Sequence, residues 1–290
     1  MSFPSPLTPS VSASPRRIRV VSPPRLAPLA LLGRVVELWH YRDLLYTQTL
    51  HRIRVRYKQS ALGLAWAFLQ PVSLMLVYTM IFSAIARMPS DGVPYSLFSF
   101  LGLLPWLFFS SSMTAGAASL VGHSHLITKV YFPREILPLS YVLAALFDFA
   151  VGSAFLVALF IYHGVWPSAT AWMGILPLSV AFVFTTGLVL LLSAVQVRIR
   201  DIGIAMPLLI QLGMFATPVV YPLSAVPAWL RVYYLWNPMA SVVENVRRAT
   251  LGTLPFDWFS FFTGAAISLA LFLVGYVYFK YTEATMADYV

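Results

Sequence analysis

The chain has 290 residues, of which 59% are hydrophobic and 10% charged, with a mean hydropathy of +0.79; soluble chains carry about 25% charged residues, so a soluble globular protein is excluded. A net charge of +9 could suggest nucleic acid, but the basic residues fall on one side of the membrane pattern, and a one-sided collar accounts for the charge without nucleic acid. Zero cysteines remove disulfides, thiolate metal sites and thiol nucleophiles, and the scattered His40, His51, His123, His125 and His163 have no metal-ligand spacing.

Residues 1–28 hold seven prolines, many serines and the cluster Arg16-Arg17-Ile18-Arg19, with no acid. Such a composition cannot bury a core, so a disordered cytosolic tail touching anionic lipid is expected. Residues 29–50 read as an amphipathic helix, with Leu32, Val35, Val36, Trp39 and Tyr46 on one stripe and Arg34, Glu37, His40 and Asp43 polar. Charge every three or four residues prevents it from spanning, and it is expected to lie in the interface plane, opening an interfacial region over 29–60. The basic stretch Arg52-Ile53-Arg54-Val55-Arg56-Tyr57-Lys58 then abuts sequence with no further charge until Arg87. That junction is how a chain leaves the cytosolic membrane surface and enters lipid.

Against the roughly 20 apolar residues that a crossing needs, six spans are expected over the segment 61–290, at 61–86, 93–121, 136–162, 170–197, 202–222 and 258–279, with Pro105 a kink in the second. Of the 19 lysines and arginines, fifteen fall on the side of the N-terminus and four (Arg87, Arg231, Arg247, Arg248) on the other, so both termini are expected in the cytosol. The fifth stretch is too long for one crossing and is broken by Thr217-Pro218-Val219-Val220-Tyr221-Pro222. A shallow re-entrant excursion follows from that, and residues 241–249 read as a short surface helix on the outer side.

The second cytosolic loop carries a helix-sized piece: Ser124 as its cap, Leu126, Ile127 and Val130 on one apolar face, and Pro133 as its stop. A short helix projecting from a membrane domain is either a plug for a groove on a soluble partner or a rider on the lipid surface. His123 and His125 read as surface histidines. Asp148 is the single acid inside a span; it must face protein or a cavity, either as a functional group or in an internal hydrogen bond. Among the many aromatics, Trp66, Phe68, Tyr78 and Phe82 are candidates to line a lumen, where rings support sugars by stacking, although lipid contact or core packing is the stronger account of any single one. No phosphate-binding GxxxxGK[ST] loop and no GxSxG nucleophile motif is present, so an energy source must be a partner or a gradient.

The run from Arg56 through Ser60 to Trp66 with Gln70-Pro71, the run Leu126 to Glu135 with Pro138, Arg198 to Asp201 before a proline-broken span, and Trp236-Asn237-Pro238 together resemble the ABC-2 type permeases that export lipid-linked polysaccharide, the membrane subunits of O-antigen and teichoic acid exporters. The likeness covers about residues 35 to 285. It implies an all-α integral membrane protein that forms a homodimeric pore in the bacterial cytoplasmic (inner) membrane and binds two copies of a separate ATPase, with ATP and magnesium held by that partner and no cofactor or metal on this chain. It further implies that Ser124, His125, Leu126, Ile127, Lys129, Val130, Arg134 and Glu135 form the coupling loop, that Arg52, Arg54, Arg56 and Lys58 receive the pyrophosphate of the lipid carrier at the cytosolic entrance, and that Thr217, Pro218, Tyr221 and Pro222 close the periplasmic side. Arginine suits such a role because its planar fork makes paired contacts to phosphate oxygens. The competing readings are an ABC-2 permease for another lipid or a drug, a polytopic membrane enzyme and a gradient-driven transporter. The enzyme needs a clustered polar site, and the transporter needs intramembrane ionisable groups beyond Asp148.

Overall fold

The structure is a computed structural model and describes residues 36–58 and 60–289. The expected tail at 1–28 and the first residues of the expected interfacial helix lie outside the described residues. The described residues form helices joined by turns and irregular segments, with no strand among them. Residues 36–40 are helical up to a turn at Tyr41, and α1 follows over Arg42–Lys58. α2 (Trp66–Tyr78) is entered by a 3-10 turn at Gly63–Ala65 and continues as a π-helical stretch, Thr79–Ile85. Then come α3 (Tyr95–Ala117), α4 (Ser124–Lys129), α5 (Ile136–His163), α6 (Ile175–Arg198), α7 (Asp201–Phe215), α8 (Ala228–Tyr234), α9 (Pro238–Leu251), α10 (Trp258–Glu283) and the short α11 (Met286–Tyr289).

Local chemistry sets several of the ends. Gly164 and Gly252 stop α5 and α9 at φ 64 and 66, the left-handed conformation that costs glycine little. Asn237 caps α9 by accepting from Met239 N at 3.0 Å, with Pro238 at the first position, and Asp257 caps α10 by accepting from Ser260 N at 3.1 Å.

Five helical segments are long and apolar enough to cross a bilayer: Gly63–Ile85, Tyr95–Ala117, Ile136–His163, Ala171–Arg198 and Trp258–Glu283. The expected fifth span at 202–222 takes another form. α7 has only 15 residues, about 22 Å at 1.5 Å each, against a hydrocarbon core of about 30 Å. It stops at Phe215, and the chain returns through irregular backbone in which Thr217, Pro218, Val219, Val220 and Pro222 are buried.

The bundle is built around α3, which has 17 of its 23 residues buried and runs through Pro105 without interruption. α2, α5, α6, α7 and α9 all pack on it. α6 and α10 form the closest pair: a Cβ on Gly187 would meet Phe272 Cα at 2.5 Å, and one on Gly275 would collide with the Gly187 carbonyl oxygen. Small residues let two helix backbones approach this closely in a membrane domain. A second apolar cluster at the other end joins Leu120, Ile127, Leu137, Leu190, Phe279 and Met286.

One expectation about placement fails here. α9 is not a surface helix: 11 of its 14 residues are buried, including Glu244 and Arg247. Its charges suggested exposure, but they are satisfied inside the protein. α1 and the turn before it are tied to α5 and to the loop that precedes it. Tyr131 OH meets Glu37 at 3.4 Å, Arg52 meets Ser140 at 2.7 Å, and Arg56 and Tyr57 both meet Asp148. α1 thus packs against the first half of α5.

Candidate functional site

The four basic residues of α1 separate into two pairs. Arg54 and Lys58 are exposed and, among the described residues, have no ionic or hydrogen-bonded partner; with Ile53, Tyr57 and Leu64 they border a shallow recess. Arg52 and Arg56 turn toward α5. Arg52 lies over the Tyr141 ring at 3.7 Å, donates to Ser140 Oγ at 2.7 Å and reaches His123 Nε2 at 3.4 Å. Its burial lowers the guanidinium from its ordinary value. His123 is therefore not a free surface histidine. Its Nδ1 sits 2.8 Å from the Ser119 carbonyl, an oxygen that only accepts, so the proton resides on Nδ1 and Nε2 faces Arg52 as an acceptor. Burial, assisted by the Arg52 charge, holds that imidazole below its usual pKa. His125 is exposed, as expected.

One turn further, Arg56 Nη1 is bonded to Asp148 Oδ2, and Tyr57 OH donates to Asp148 Oδ1 at 2.6 Å. The acid inside the span thus has both its oxygens engaged by α1. A lone charge at that depth costs about 3 kcal/mol on insertion scales, and an internal partner offsets that cost. Tyr57 is pushed up to about 12 by burial, with the Asp148 hydrogen bond adding to it. These three residues, with Trp66, Gln70 and Thr114, line a cavity of about 580 Å³ between α1, α2, α3 and α5.

The aromatic candidates divide. Trp66 is half-exposed and borders the cavity, and Phe68 is half-buried. Tyr78 and Phe82 pack inward on the α3 core, edge to face at 6.1 Å, with Tyr78 OH 3.5 Å from Met214 Sδ.

In the loop between α3 and α5, α4 begins at Ser124 itself, and no side chain caps it; His123 holds the cap position. The helix ends at Lys129, before Pro133. Its apolar face is partly used up, because Ile127 is buried in the cluster with Leu120, Leu137 and Phe279, and Leu126 packs against the same cluster. His125, Thr128, Lys129 and Val130 remain exposed. Arg134 and Glu135 hold this loop to the end of α10. Lys280 Nζ donates to Glu135 Oε2 at 2.6 Å and to Glu283 Oε2 at 3.1 Å, Arg134 N donates to Glu283 Oε1 at 3.0 Å, and Arg134 Nη1 donates to the Glu283 carbonyl. Lys280 and Glu135 are both buried, although the sequence places Lys280 among the basic residues of a tail.

The irregular return after α7 depends on one side chain that sequence reasoning set on the outer surface. Arg247 is 3% exposed. Its guanidinium donates to Pro218 O at 2.6 Å, to Val219 O and to Phe98 O at 3.1 Å, and stacks over the Phe98 ring at 3.7 Å. Backbone that leaves a helix inside a membrane domain must find donors from the surrounding protein, and Arg247 supplies them. Burial lowers its pKa to about 10, so it is charged at neutral pH. Gly102 makes room for it: a Cβ there would strike Arg247 Nη2 and come within 2.6 Å of Val219 O. Tyr95 OH donates to Val220 O, Asn237 Nδ2 to Ala216 O at 3.1 Å and to Thr217 Oγ1 at 3.0 Å, and Tyr221 OH to Phe215 O at 2.6 Å while meeting Tyr234 OH at 2.8 Å. The available sequence signal was the combination of a proline-broken apolar stretch with an arginine on the next amphipathic helix. Among the described residues, no group of three or more His, Asp or Glu side chains is placed to hold a metal ion.

Residues 44–251, from α1 to the end of α9, match the family model for the ABC-2 type transporter membrane domain. The chain belongs to the ABC-2 type transporter family. It is 35% identical over 217 residues to the O-antigen export system permease protein RfbA of Myxococcus xanthus, covering 74% of this chain and 83% of that one. A Klebsiella pneumoniae RfbA is 30% identical over 231 residues, covering 78% and 88%. The polysialic acid transport protein KpsM of Escherichia coli is 24% identical over 242 residues, covering 82% and 92%. In this ABC-2 permease the family match takes in the α1–α5 contact, the α4 loop and the Arg247-supported return. α10, which carries Lys280, lies beyond it.

Proposed function

We propose that this chain is the membrane-spanning subunit of an ATP-driven exporter that moves a lipid-linked polysaccharide from the cytosol across the bacterial cytoplasmic membrane. Two copies form the pore, and a separate nucleotide-binding subunit, also present twice, supplies the work. In this reading α7 and its buried return count as the fifth of six crossings, which keeps both termini cytosolic. The stretch 217–222, with Thr217, Pro218, Tyr221 and Pro222, closes the outer end.

The observation that carries the reading is that relatives named as O-antigen export and polysialic acid transport proteins align with 74–82% of the chain. α1 supports it by presenting Arg54 and Lys58 outward and Arg56 to a cavity, a suitable reception for a phosphate-bearing head. α4 supports it because Ile127 and the ties of Glu135 and Arg134 to α10 fasten the loop to the bundle, so a push on its exposed face is transmitted to the membrane helices.

The test uses the exposed face of α4 and not Ile127, whose loss would disturb the fold. V130D combined with K129E is expected to abolish co-purification of the nucleotide-binding subunit and to leave glycan on its carrier inside the cell, while the permease retains its thermal midpoint. Full co-purification together with normal surface glycan would discard the coupling role.

A further inference from the structure

Residues 280–289 lie beyond the family match and lock together elements that are far apart in sequence. On one side they hold the loop carrying α4: Lys280 Nζ donates to Glu135 Oε2 at 2.6 Å, and Glu283 Oε1 accepts from Arg134 N at 3.0 Å. On the other they hold the end of α6, where the exposed Arg198 donates from Nη2 to Thr285 Oγ1 at 3.1 Å and lies over the Tyr289 ring at 5.2 Å. Met286, 1% exposed, fills the space between. It belongs to one cluster with Ile127 of α4, Leu137 of α5, Leu190 and Val197 of α6 and Phe279 of α10. α11 packs directly on both α4 and α6.

The end of α6 leads on to α7. α6 and α10 approach backbone to backbone at Gly187 and Gly275, so these two helices and the segment at their ends shift as one body. Only Ile199 and Arg200 separate α6 from α7. Gly203 of α7 also lies against Gln196 of α6, because a Cβ there would come within 2.6 Å of Gln196 Nε2. A displacement of the end of α6 therefore reaches the base of α7, whose far end runs into the return supported by Arg247.

We propose that residues 280–289 are a coupling element, which carries a push on α4 to the end of α6 and from there to α7, with Arg198, Thr285, Met286 and Tyr289 as its positioning residues. The inference rests on the export reading above and deepens it, by naming the part of this chain that takes the motor's work from the inner face toward the outer closure. The rival assignment is that the segment only fastens the fold. The two differ at the Arg198 contacts. Exposed polar contacts contribute little to stability, so a fastening role predicts that cutting them changes nothing. A place in the coupling path predicts lost transport at constant stability. Lys280 is a poorer probe, since removing one partner of a buried pair destabilises the protein outright.

The chain contains no cysteine, which allows the contact to be cut and remade in one protein. R198C combined with T285C removes both Arg198 contacts. The readout is ATP-dependent sequestration of the endogenous carrier-linked glycan in inverted membrane vesicles that hold the complex of this chain with its nucleotide-binding subunit. The double variant is expected to keep co-purification, ATP hydrolysis and the wild-type thermal midpoint, while transport falls by about fivefold, within the range for residues that carry coupling between sites. Y289A, which removes one of the two contacts, should fall between the double variant and wild type. Bridging the two introduced thiols with a short bismaleimide should restore transport, because α11 and α6 then move together again. Wild type and T285C treated alike should not gain. Wild-type transport in the unbridged double variant overturns the inference, and so does a loss that bridging leaves uncorrected. A lowered midpoint that bridging reverses without restoring transport assigns the segment to the fold alone and overturns it too. Wild-type vesicles that sequester no glycan would instead overturn the export reading itself.

Discussion

Arg247 gives the strongest quantitative expectation. Pro218 O and Val219 O lie in buried backbone, and no backbone N–H bonds either oxygen among the described residues. Arg247 donates to both. R247M preserves bulk and the contact with Phe98 but strands both carbonyls. A buried acceptor left without a donor costs about 1–3 kcal/mol, so the pair costs about 4 kcal/mol. At about 2–4 °C per kcal/mol for a domain of 150–250 residues, the thermal midpoint should fall by about 10 °C. R247K retains the charge but not the planar fork, so it should lose about half as much. The measurement is fluorescence-detected size exclusion after graded heating, with amide exchange followed across 216–222, where protection should fall first. An R247M midpoint within about 2 °C of wild type would show that the return after α7 is held by something else, and the account of its buried backbone would fail.

Two further expectations follow from other parts of the structure. G275A should force α10 away from α6, because its Cβ would strike the Gly187 carbonyl; overpacking costs about 1–3 kcal/mol, visible as a lower midpoint, while G122A, with nothing within 4 Å of its Cβ, should behave as wild type. Tyr57 has its folded pKa raised from 10.0 to about 12, so the folded state holds a proton that the unfolded state releases. Its contribution is complete below pH 10, declines above it and is lost as pH rises through about 12; a difference titration of tyrosinate absorbance between wild type and Y57F should place the missing transition near 12, and a transition near 10 would refute the Asp148 contact.

Most of the bundle was legible because crossing a bilayer is a matter of composition. Long runs with at most one charge mark α2, α3, α5, α6 and α10 wherever their partners lie. Where the sequence misled, a charge was read as an address. Arg247 and Lys280 were assigned to opposite aqueous sides, yet both are buried, one by carbonyls of the return after α7 and the other by Glu135, 145 residues away. Asp148 stood out as anomalous in its span, but its partners lie 92 and 91 residues back, and no local pattern encodes such a pairing. The same holds for α1: its arginines, read as the reception for a phosphate, include Arg52 and Arg56, whose partners Ser140 and Asp148 lie on α5.

These errors share a physical origin. In a lipid-facing chain, a charge away from the aqueous ends is retained only if another element neutralises it, so it reports tertiary pairing and carries little information about topology. Setting Arg247 and Lys280 aside as buried leaves fourteen basic residues on the N-terminal side and three on the other. The asymmetry that predicts orientation therefore survives without them. The unpaired exposed charges carry the orientation signal, while the paired ones, Asp148 with Arg56, the buried Glu135 with Lys280, and the buried Arg247 with its carbonyls, mark where α1, the α4 loop and the return after α7 are fastened to the bundle. Those three fastenings are also the places where the proposed entrance, coupling and outer closure would have to move.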